Sequence, residues 1–348
     1  MTYLFHQPQI YSGFWHHFYY FAQANIYEMK NVLIILMIIL LSGSSCNATS
    51  DEKVNNGISA GKIISDINKG KAILVKGKII TDDLDFSQVK NIQVFSSSNQ
   101  MVVIDVPVTF LDCIFMGKVL TNSMVENTSK NTGFRHSLTF EACDFRQEAD
   151  FDNITVEGNV NFTGAIFRER AKFNNVTFKG RNNYFTAFTS EKYFSMQEAS
   201  VRGAIDFFKG KVKAKISFQS TEFMGITRFS DLDCDGVSDF SLVRFRDDAL
   251  FTYSNFTGDF RMANSSVQGR FDLNSVEFQA NAFLSDSKFF GPVNFSKTSV
   301  KGKFDLSHSI FYANSPDFSE FVFLSPENII ISGAKIVYYD NLLPLKKN

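Results

Sequence analysis

Large apolar residues recur along most of the chain at steps that alternate between five and six residues. From residue 207 onward this count meets an apolar residue every time: Phe207, Val212, Phe218, Phe223, Phe229, Cys234, Phe240, Phe245, Phe251, Phe256, Met262, Val267, Leu273, Phe278, Leu284, Phe289, Phe295, Val300, Leu306 and Phe311. The residue two places earlier is usually small or branched, and the positions between are mostly polar. Two inward side chains separated by one outward side chain indicate a short β-strand. A helix does not produce alternate steps of five and six.

The same rhythm starts earlier in the chain and is interrupted twice. It begins at Phe110 and Phe115 and continues through Phe140, Phe145, Phe151, Val156, Phe162, Phe167, Phe173 and Phe178. Between Phe178 and Val201 the count slips by one residue, which predicts a bulge or small loop at 184–196. The polar segment 120–133 breaks the count and predicts a protruding loop.

The repeating segments, such as 160–167 (VNFTGAIF) and 249–251 (ALF), resemble the pentapeptide-repeat family in its Phe-centred variant. The resemblance covers roughly residues 104–323, and we place the repeat domain at 104–336. It implies an all-β fold, a right-handed quadrilateral β-helix. Sides of five, six, five and six residues give about 22 residues per coil and about ten coils.

Charged residues in the second half agree with that coil length. Three lysines lie 22 positions before three aspartates: Lys209, Lys211 and Lys213 before Asp231, Asp233 and Asp235. Stacked coils are about 4.8 Å apart, so each lysine is expected beside an aspartate on the outer wall. The same step aligns an inward column of Phe207, Phe229, Phe251, Leu273 and Phe295.

The two ends of the tube need covers, because an open end exposes unpaired backbone. Residues 58–103 are predicted to form an N-terminal cap and irregular first coils. Within them, 58–69 reads as a short helix that Gly70 ends, with Ile63, Ile64 and Ile67 on one face. Residues 72–86 read as the first irregular coil.

At the other end, Ile329, Ile331 and Ile336 indicate a last strand. The tail at 337–348 is then expected to close the tube or to form a homodimer contact.

The composition agrees with a phenylalanine-filled interior, since the chain has 40 Phe and one Trp. The predicted structural core of the regular part is Phe207, Phe218, Phe223, Phe229, Phe240, Phe245, Phe251, Phe256, Phe278, Phe289, Phe295 and Phe311. Burial of one Phe stabilises a fold by about 1.5–3 kcal/mol. The balance of 35 basic and 36 acidic residues gives no support to nucleic-acid binding.

The first 45 residues do not follow the repeat. Residues 1–28 are rich in aromatic residues without any period, and we interpret them as a mis-called upstream extension, with Met29 as the true start. Residues 29–45 combine a short basic start, an apolar stretch and small residues, which is typical of a secretory signal peptide. An uncleaved signal anchor is the alternative.

The end of this segment, LLSGSSC, resembles a bacterial lipoprotein signal. The resemblance implies that Cys46 is lipidated and becomes the first mature residue. Gly43 departs from the pattern, because such signals prefer Leu three residues before the Cys. Ordinary cleavage near Ser45, giving a soluble secreted product, stays open. Residues 46–57 are polar and are interpreted as a tether.

Three further cysteines, Cys113, Cys143 and Cys234, lack metal-ligand spacing and fall on inward positions of the repeat. We predict buried free thiols, although an exported protein could oxidise two of them.

Few other residues carry candidate chemistry. Residues 231–236 (DLDCDG) match the opening of a calcium loop, but Leu242 occupies position twelve, where that loop needs Glu. Residues 209–215 form a lysine cluster that the aspartates should neutralise, with Lys215 left without an obvious partner. His136 and His308 lie in no nucleophile or metal motif, and we expect His308 to be exposed. We predict no catalytic residues, cofactor or metal.

These observations predict a non-enzymatic protein of the bacterial cell envelope, periplasmic or at the cell surface, held to the membrane by a lipid. It would act as a rigid scaffold or protein-interaction surface for an unknown envelope protein, without binding nucleic acid. The resemblance also implies an alternative, a cytoplasmic DNA-mimicking protein that binds topoisomerases. An enzyme acting on envelope polymers is a third hypothesis.

Overall fold

A computed structural model describes residues 56–96, 98–125, 127–338 and 341–344. The interpreted extension at 1–28, the signal peptide at 29–45, Cys46 and nearly all of the tether lie outside these residues. So do the last four residues of the tail.

The described chain winds into a four-sided solenoid whose sides are parallel β-sheets. Each coil crosses faces 1, 2, 3 and 4 in that order. Face 1 contains Ile73–Lys76, Val108–Leu111, Leu138–Glu141, Val160–Asn161, Asn182–Tyr184, Ala204–Asp206, Thr227–Arg228, Ala249–Leu250, Phe271–Asp272 and Val293–Asn294. Face 2 contains Gly57–Ile58, Ile79–Ile80, Ile114–Phe115, Asp144–Phe145, Ile166–Phe167, Thr189–Ser190, Lys211–Val212, Asp233–Cys234, Asn255–Phe256, Glu277–Phe278, Ser299–Val300 and Val322–Phe323.

The other two faces complete each coil. Face 3 contains Leu84–Asp85, Val119–Leu120, Ala149–Asp150, Ala171–Lys172, Phe194–Ser195, Ile216–Ser217, Ser238–Asp239, Phe260–Arg261, Ala282–Phe283, Phe304–Asp305 and Ile329–Ile330. Face 4 contains Ile92–Ser96, Asn99–Ile104, Ser123–Val125, Thr128–Phe134, Thr155–Val156, Thr177–Phe178, Ser200–Val201, Glu222–Phe223, Arg244–Phe245, Ser266–Val267, Lys288–Phe289, Ile310–Phe311, Lys335–Tyr338 and Asn341–Pro344.

The predicted coil length is confirmed by the pairing between neighbouring strands. Phe223 pairs with Phe245 and Phe256 pairs with Phe278, and in both pairs the residue numbers differ by 22. The number of coils is larger than the ten predicted, because face 2 alone holds twelve stacked strands in the described residues. The extra coils come from the two ends, where the strand at Gly57–Ile58 pairs with the next coil and Ser299 pairs with Val322. At about 4.8 Å per coil, the stack is about 50–60 Å long.

Phenylalanine rings fill the interior as continuous columns. Each of the twelve predicted core phenylalanines is at most 1% exposed. On face 1, neighbouring rings stack with centroids 4.8–5.3 Å apart along the column Phe110, Phe140, Phe162, Phe185, Phe207, Phe229 and Phe251. Stacked aromatic pairs add about 0.5–1.5 kcal/mol beyond their buried area. The column then continues with Leu273, as the sequence predicts.

Many of the coil corners use the left-handed backbone conformation on residues other than glycine. Leu242 and Tyr253, for example, have φ angles of 63° and 61°. A left-handed residue costs roughly 1–2 kcal/mol. The backbone N–H of each donates to the next coil, to the carbonyls of Ala263 and Asn274, both at 3.0 Å. These inter-coil hydrogen bonds offset the cost of the turn.

The predicted N-terminal helix is confirmed, with slightly tighter limits. Helix α1 spans Ala60–Asn68, and the Ser59 side chain accepts a hydrogen bond from the Lys62 N–H at 3.3 Å. Ile63 and Ile67 are buried against the first coils. Gly70 follows with φ of 70°, as expected where a helix ends. Two short 3₁₀ turns occur at Phe86–Gln88 and Pro326–Asn328.

The slip in the repeat lies at Asn182–Tyr184, which overlaps the predicted segment 184–196 only at its first residue. Asn161 pairs with Tyr184, so the residue numbers differ by 23 at this coil and by 22 again at the next. Asn183 lies at the extra position, and its side chain is buried in the tube at 1% exposure. Its side-chain oxygen accepts from the Val160 N–H at 3.2 Å, and its amide donates to the Ala204 carbonyl at 3.2 Å. Those hydrogen bonds allow a polar residue inside the tube.

The segment predicted as a loop at 120–133 contains a β-hairpin. Ser123–Val125 pairs antiparallel with Thr128–Phe134, which in turn pairs in parallel with Asn99–Ile104. Ile92–Ser96 completes a four-stranded sheet. We call these four strands the extended sheet, because its central strands are longer than the two-residue strands of most coils.

The residues predicted to form one last strand are divided between two strands, Ile329–Ile330 on face 3 and Lys335–Tyr338 on face 4, and Ile331 lies between them. Asn341–Pro344, from the predicted tail, pairs antiparallel with Lys335–Tyr338 at the end of face 4.

Candidate functional site: the outer walls

Chemistry-bearing side chains are dispersed over the described part of the solenoid. Among those residues no three His, Cys, Asp or Glu side chains lie together as a metal site would require. His136 is 3.5 Å from Asp105, and His308 is 3.7 Å from Asp286, each on the surface. His308 is exposed, as predicted. The candidate functional surfaces are therefore the outer walls of the solenoid.

A ladder of ion pairs joins four successive coils near face 2. Asp144 contacts Arg146 at 2.9 Å and Arg168 at 3.0 Å through both of its oxygens. Arg168 also contacts Glu191 at 3.1 Å, and Lys213 lies 3.5 Å from the same carboxylate. The hydrogen bonds that Arg168 donates to Asp144 raise the pKa of its guanidinium. The ladder keeps the wall close to neutral and ties coils together.

The predicted register of the lysine–aspartate wall is confirmed, but the predicted side-chain contacts are wrong. Lys211 pairs with Asp233 through the backbone, as the predicted coil length requires. Their side chains make no ion pair, and Asp233 instead accepts a hydrogen bond from Asn255 at 2.9 Å. A long side chain on a flat wall can reach several oppositely charged partners. The spacing of 22 residues in the sequence does not determine which of them it contacts.

The other lysines of that cluster also find partners elsewhere. The Lys209 ammonium lies 5.1 Å from the ring centroid of Phe208. Lys215, predicted to lack a partner, lies 3.7 Å from Asp239 and 5.8 Å from the ring centroid of Tyr193. Such contacts leave little free positive charge for an anion site.

Grooves on the described walls include the following two. One of about 180 Å³ lies on face 1 beside the extra residue, lined by Tyr184, Asp206 and Arg228. Asp206 and Arg228 are paired at 3.2 Å. The second, of about 380 Å³, lies between the end of helix α1 and residues 89–106. Neither groove contains a nucleophile with an adjacent base, as a covalent catalytic site would require.

Several of the exposed apolar side chains lie on the extended sheet. Val94 is 67% exposed, Phe95 63% and Met124 74%. The strands carrying them, Ile92–Ser96 and Ser123–Val125, are also the two outer edges of that sheet. An apolar edge strand offers both unpaired backbone groups and side chains to a partner. Sequence reasoning missed this surface, because the polar break in the repeat indicated only a loop.

The three cysteines of the described chain are buried free thiols, as predicted. Cys234 stands alone, and burial raises its pKa to about 11. Cys113 and Cys143 lie at equivalent positions of adjacent coils. No helix of the described residues is long and apolar enough to span a bilayer.

Comparison with known proteins adds one finding to this geometry. Residues 140–186 match the family model described as pentapeptide repeats (9 copies). The matched segment contains the extra residue at Asn182–Tyr184. No curated protein and no solved structure matches the chain.

Proposed function

Because the chain belongs to the pentapeptide-repeat family, we propose that it is a non-enzymatic interaction scaffold of the bacterial cell envelope. The rod holds the extended sheet at a fixed position, and a partner protein binds there. A lipid on Cys46 anchors the chain to the membrane through the polar tether at 46–57.

The observation that carries the interaction role is the exposure of apolar side chains on both edge strands of the extended sheet. Other large apolar side chains are exposed elsewhere on the described walls, among them Leu74 and Leu324. Val94 and Phe95 lie on one edge strand and Met124 on the other, each beside a free strand edge. Pairing of a partner strand with such an edge would satisfy its backbone groups and cover the apolar side chains.

The absence of enzymatic activity is proposed from the way the interior is filled. The rings of the face 1 column are in direct stacking contact, which leaves no room for a substrate between them. Substrate sites are usually concave and need convergent polar groups. The two grooves on the walls are shallow, and the ionic side chains of the face 1 groove neutralise each other.

The location rests on residues 29–46, whose pattern is typical of an exported lipoprotein. The alternative of a DNA-mimicking protein would need a strongly acidic face. Around face 2 the acidic residues alternate with arginine and lysine, as in the contacts of Asp144 with Arg168 and of Glu191 with Lys213. The charge distribution therefore favours the envelope hypothesis.

Cell fractionation tests the location. The full chain should be found in the membrane fraction of a bacterial host and should incorporate labelled fatty acid. A Cys46→Ala variant should lose the label and leave the membrane fraction. If the unchanged chain is found in the cytosol, the proposed location is wrong.

Site-specific photo-crosslinking tests the interaction surface. Phe95 and Tyr253 are 63% and 64% exposed, so a benzoyl-phenylalanine at either position is equally accessible. A crosslinked adduct of defined mass should form from position 95 in intact cells and be absent from position 253. Adducts of the same kind from both positions would contradict a specific surface on the extended sheet.

A further inference from the structure

Cys113 and Cys143 form a pair of stacked thiols inside the tube. The residues before them, Asp112 and Ala142, both adopt the left-handed conformation, with φ angles of 54° and 52°. Two equal turns on adjacent coils direct their side chains the same way. The thiols are consequently neighbours rather than merely close in the coil order.

Backbone pairing fixes the pair on both sides. Before the turns, Leu111 pairs with Glu141, and after them Ile114 pairs with Asp144. The Asp112 N–H donates to the Glu141 carbonyl, and the Asp144 N–H donates to the Cys113 carbonyl, both at 2.9 Å. Stacked strands are about 4.8 Å apart, and this lies within the Cα separation of about 4.4–6.8 Å that disulfides span.

Both thiols are buried at these equivalent positions, Cys113 at 1% and Cys143 at 0% exposure. Each thiol lies near the carbonyl two residues before it, Cys113 at 3.3 Å from Leu111 and Cys143 at 3.4 Å from Glu141. A hydrogen bond between the two thiols lowers the pKa of Cys113 to about 7 and raises that of Cys143. Cys234 lies several coils away, in the strand Asp233–Cys234.

We propose that Cys113 and Cys143 are a modification site, and that they form an intramolecular disulfide when the chain folds in an oxidising compartment. The linkage closes the segment 114–142, which contains the hairpin Ser123–Val125 and Thr128–Phe134. It fastens the coil from which the extended sheet emerges. The inference does not depend on the proposed partner.

The oxidant is a small or protein disulfide, written R–S–S–R. The Cys113 thiolate attacks one sulfur, which forms a mixed disulfide and releases one R–S⁻. Cys143 then loses its proton and displaces the second R–S⁻ from Cys113. The two cysteines give up two electrons and two protons, and the donor disulfide is reduced to two thiols. Because both thiols are buried in the folded tube, exchange takes place while the coils are forming.

The test is refolding of the full chain in oxidised and reduced glutathione, followed by denaturation, alkylation with N-ethylmaleimide and mass spectrometry. The chain has four cysteines. The expected protein carries two adducts, at Cys46 and Cys234, and has lost two hydrogen atoms. Proteolysis should yield a peptide pair joined through Cys113 and Cys143. Four adducts on folded protein, or a linkage that includes Cys234, would overturn the proposal.

Cysteine-to-alanine variants identify which two cysteines form the linkage. Ala165 occupies the same column position one coil further, so alanine is compatible with the packing. Cys113→Ala and Cys143→Ala should each give three adducts after refolding, whereas Cys234→Ala should keep the disulfide and give one. The linked protein should also melt at a higher temperature than its reduced form. An unchanged disulfide content in Cys113→Ala would contradict the assigned pairing.

Discussion

Phe229 and Phe251 lie one coil apart with their ring centroids 4.8 Å from each other and their planes inclined by 20°. Each also meets the ring of Phe240 edge-on, at 5.0 and 5.2 Å. The interior of the tube therefore combines stacking along its axis with edge contacts across it. Removal of one ring leaves a cavity that the rigid coils cannot close.

Phe251→Ala should lower the free energy of unfolding by about 3–5 kcal/mol, because it removes buried surface and creates a cavity. Thr252→Asp should lower it by at most about 1 kcal/mol, since Thr252 lies on the outer wall and loses one hydrogen bond to Ser230. Urea denaturation followed by circular dichroism measures both. Equal losses would contradict the inward and outward assignment.

The carboxylate of Asp144 supports two arginines, so Asp144→Asn should weaken the ladder. We expect a loss of about 0.5–1 kcal/mol at low salt that shrinks as salt is raised, because the pairs are partly exposed and screened. Asp235→Asn is the matched control on the same face, since Asp235 makes no ion pair within the described residues. A salt-independent loss at Asp144 would assign the effect to packing rather than charge.

Tyr253→Asn should raise the free energy of unfolding by about 0.5–1 kcal/mol. Tyr253 is exposed and has a positive φ, a conformation that Asn adopts more readily. Gln268, exposed at a position without positive φ, is the control, and Gln268→Asn should give no gain. Thermal or urea denaturation of the two variants decides whether strain is stored at these corners.

Ionisation of Asp152 lowers the free energy of unfolding as the pH rises. Its pKa is raised mainly by burial, although its Oδ1 accepts the Asn174 N–H at 2.6 Å. A carboxyl with a raised folded-state pKa binds its proton more tightly in the folded chain. It therefore destabilises the fold as the pH rises from the unfolded-state pKa through the folded one. Asn174 fills the same role one coil further, where its Oδ1 accepts the Gln197 N–H.

Asp152→Asn should accordingly match the unchanged chain at acidic pH and exceed its stability at neutral pH. Urea midpoints measured across that range test the sign. Asp152→Ala, which loses the acceptor, should be less stable than the unchanged chain at both ends. If the Asn variant is instead less stable at neutral pH, the ionised carboxylate is stabilising.

The amino-acid repeat predicted the inward side chains well. A strand of two residues buries alternate positions whatever its neighbours are, so Phe207 and Phe229 could be assigned to the interior without a structure. The short helix was also predictable, because the isoleucine spacing and Gly70 are local signals. The coil number was underestimated, since the end coils depart from the five-and-six repeat, although residues such as Ile80 and Leu84 belong to the same buried core.

The candidate surfaces were less predictable. The partner of Lys213 was expected to be Asp235, yet the side chain reaches back toward Glu191. A flexible lysine chooses among carboxylates on either neighbouring coil, and small differences in wall geometry decide the choice. The extended sheet likewise depends on the pairing of Asn99–Ile104 with Thr128–Phe134, segments separated in sequence and without the repeat pattern.

The coil length, the stacking register and the filling of the tube follow from the amino-acid sequence, because all three depend on a period repeated many times. Tertiary structure decided where the solenoid departs from that period. In the tertiary structure the polar break forms part of a sheet with exposed Phe95. Cys113 and Cys143, which that insertion separates in the sequence, occupy equivalent positions of adjacent coils. A repeat specifies what each coil shares with the next, whereas an insertion takes its shape from the strands beside it.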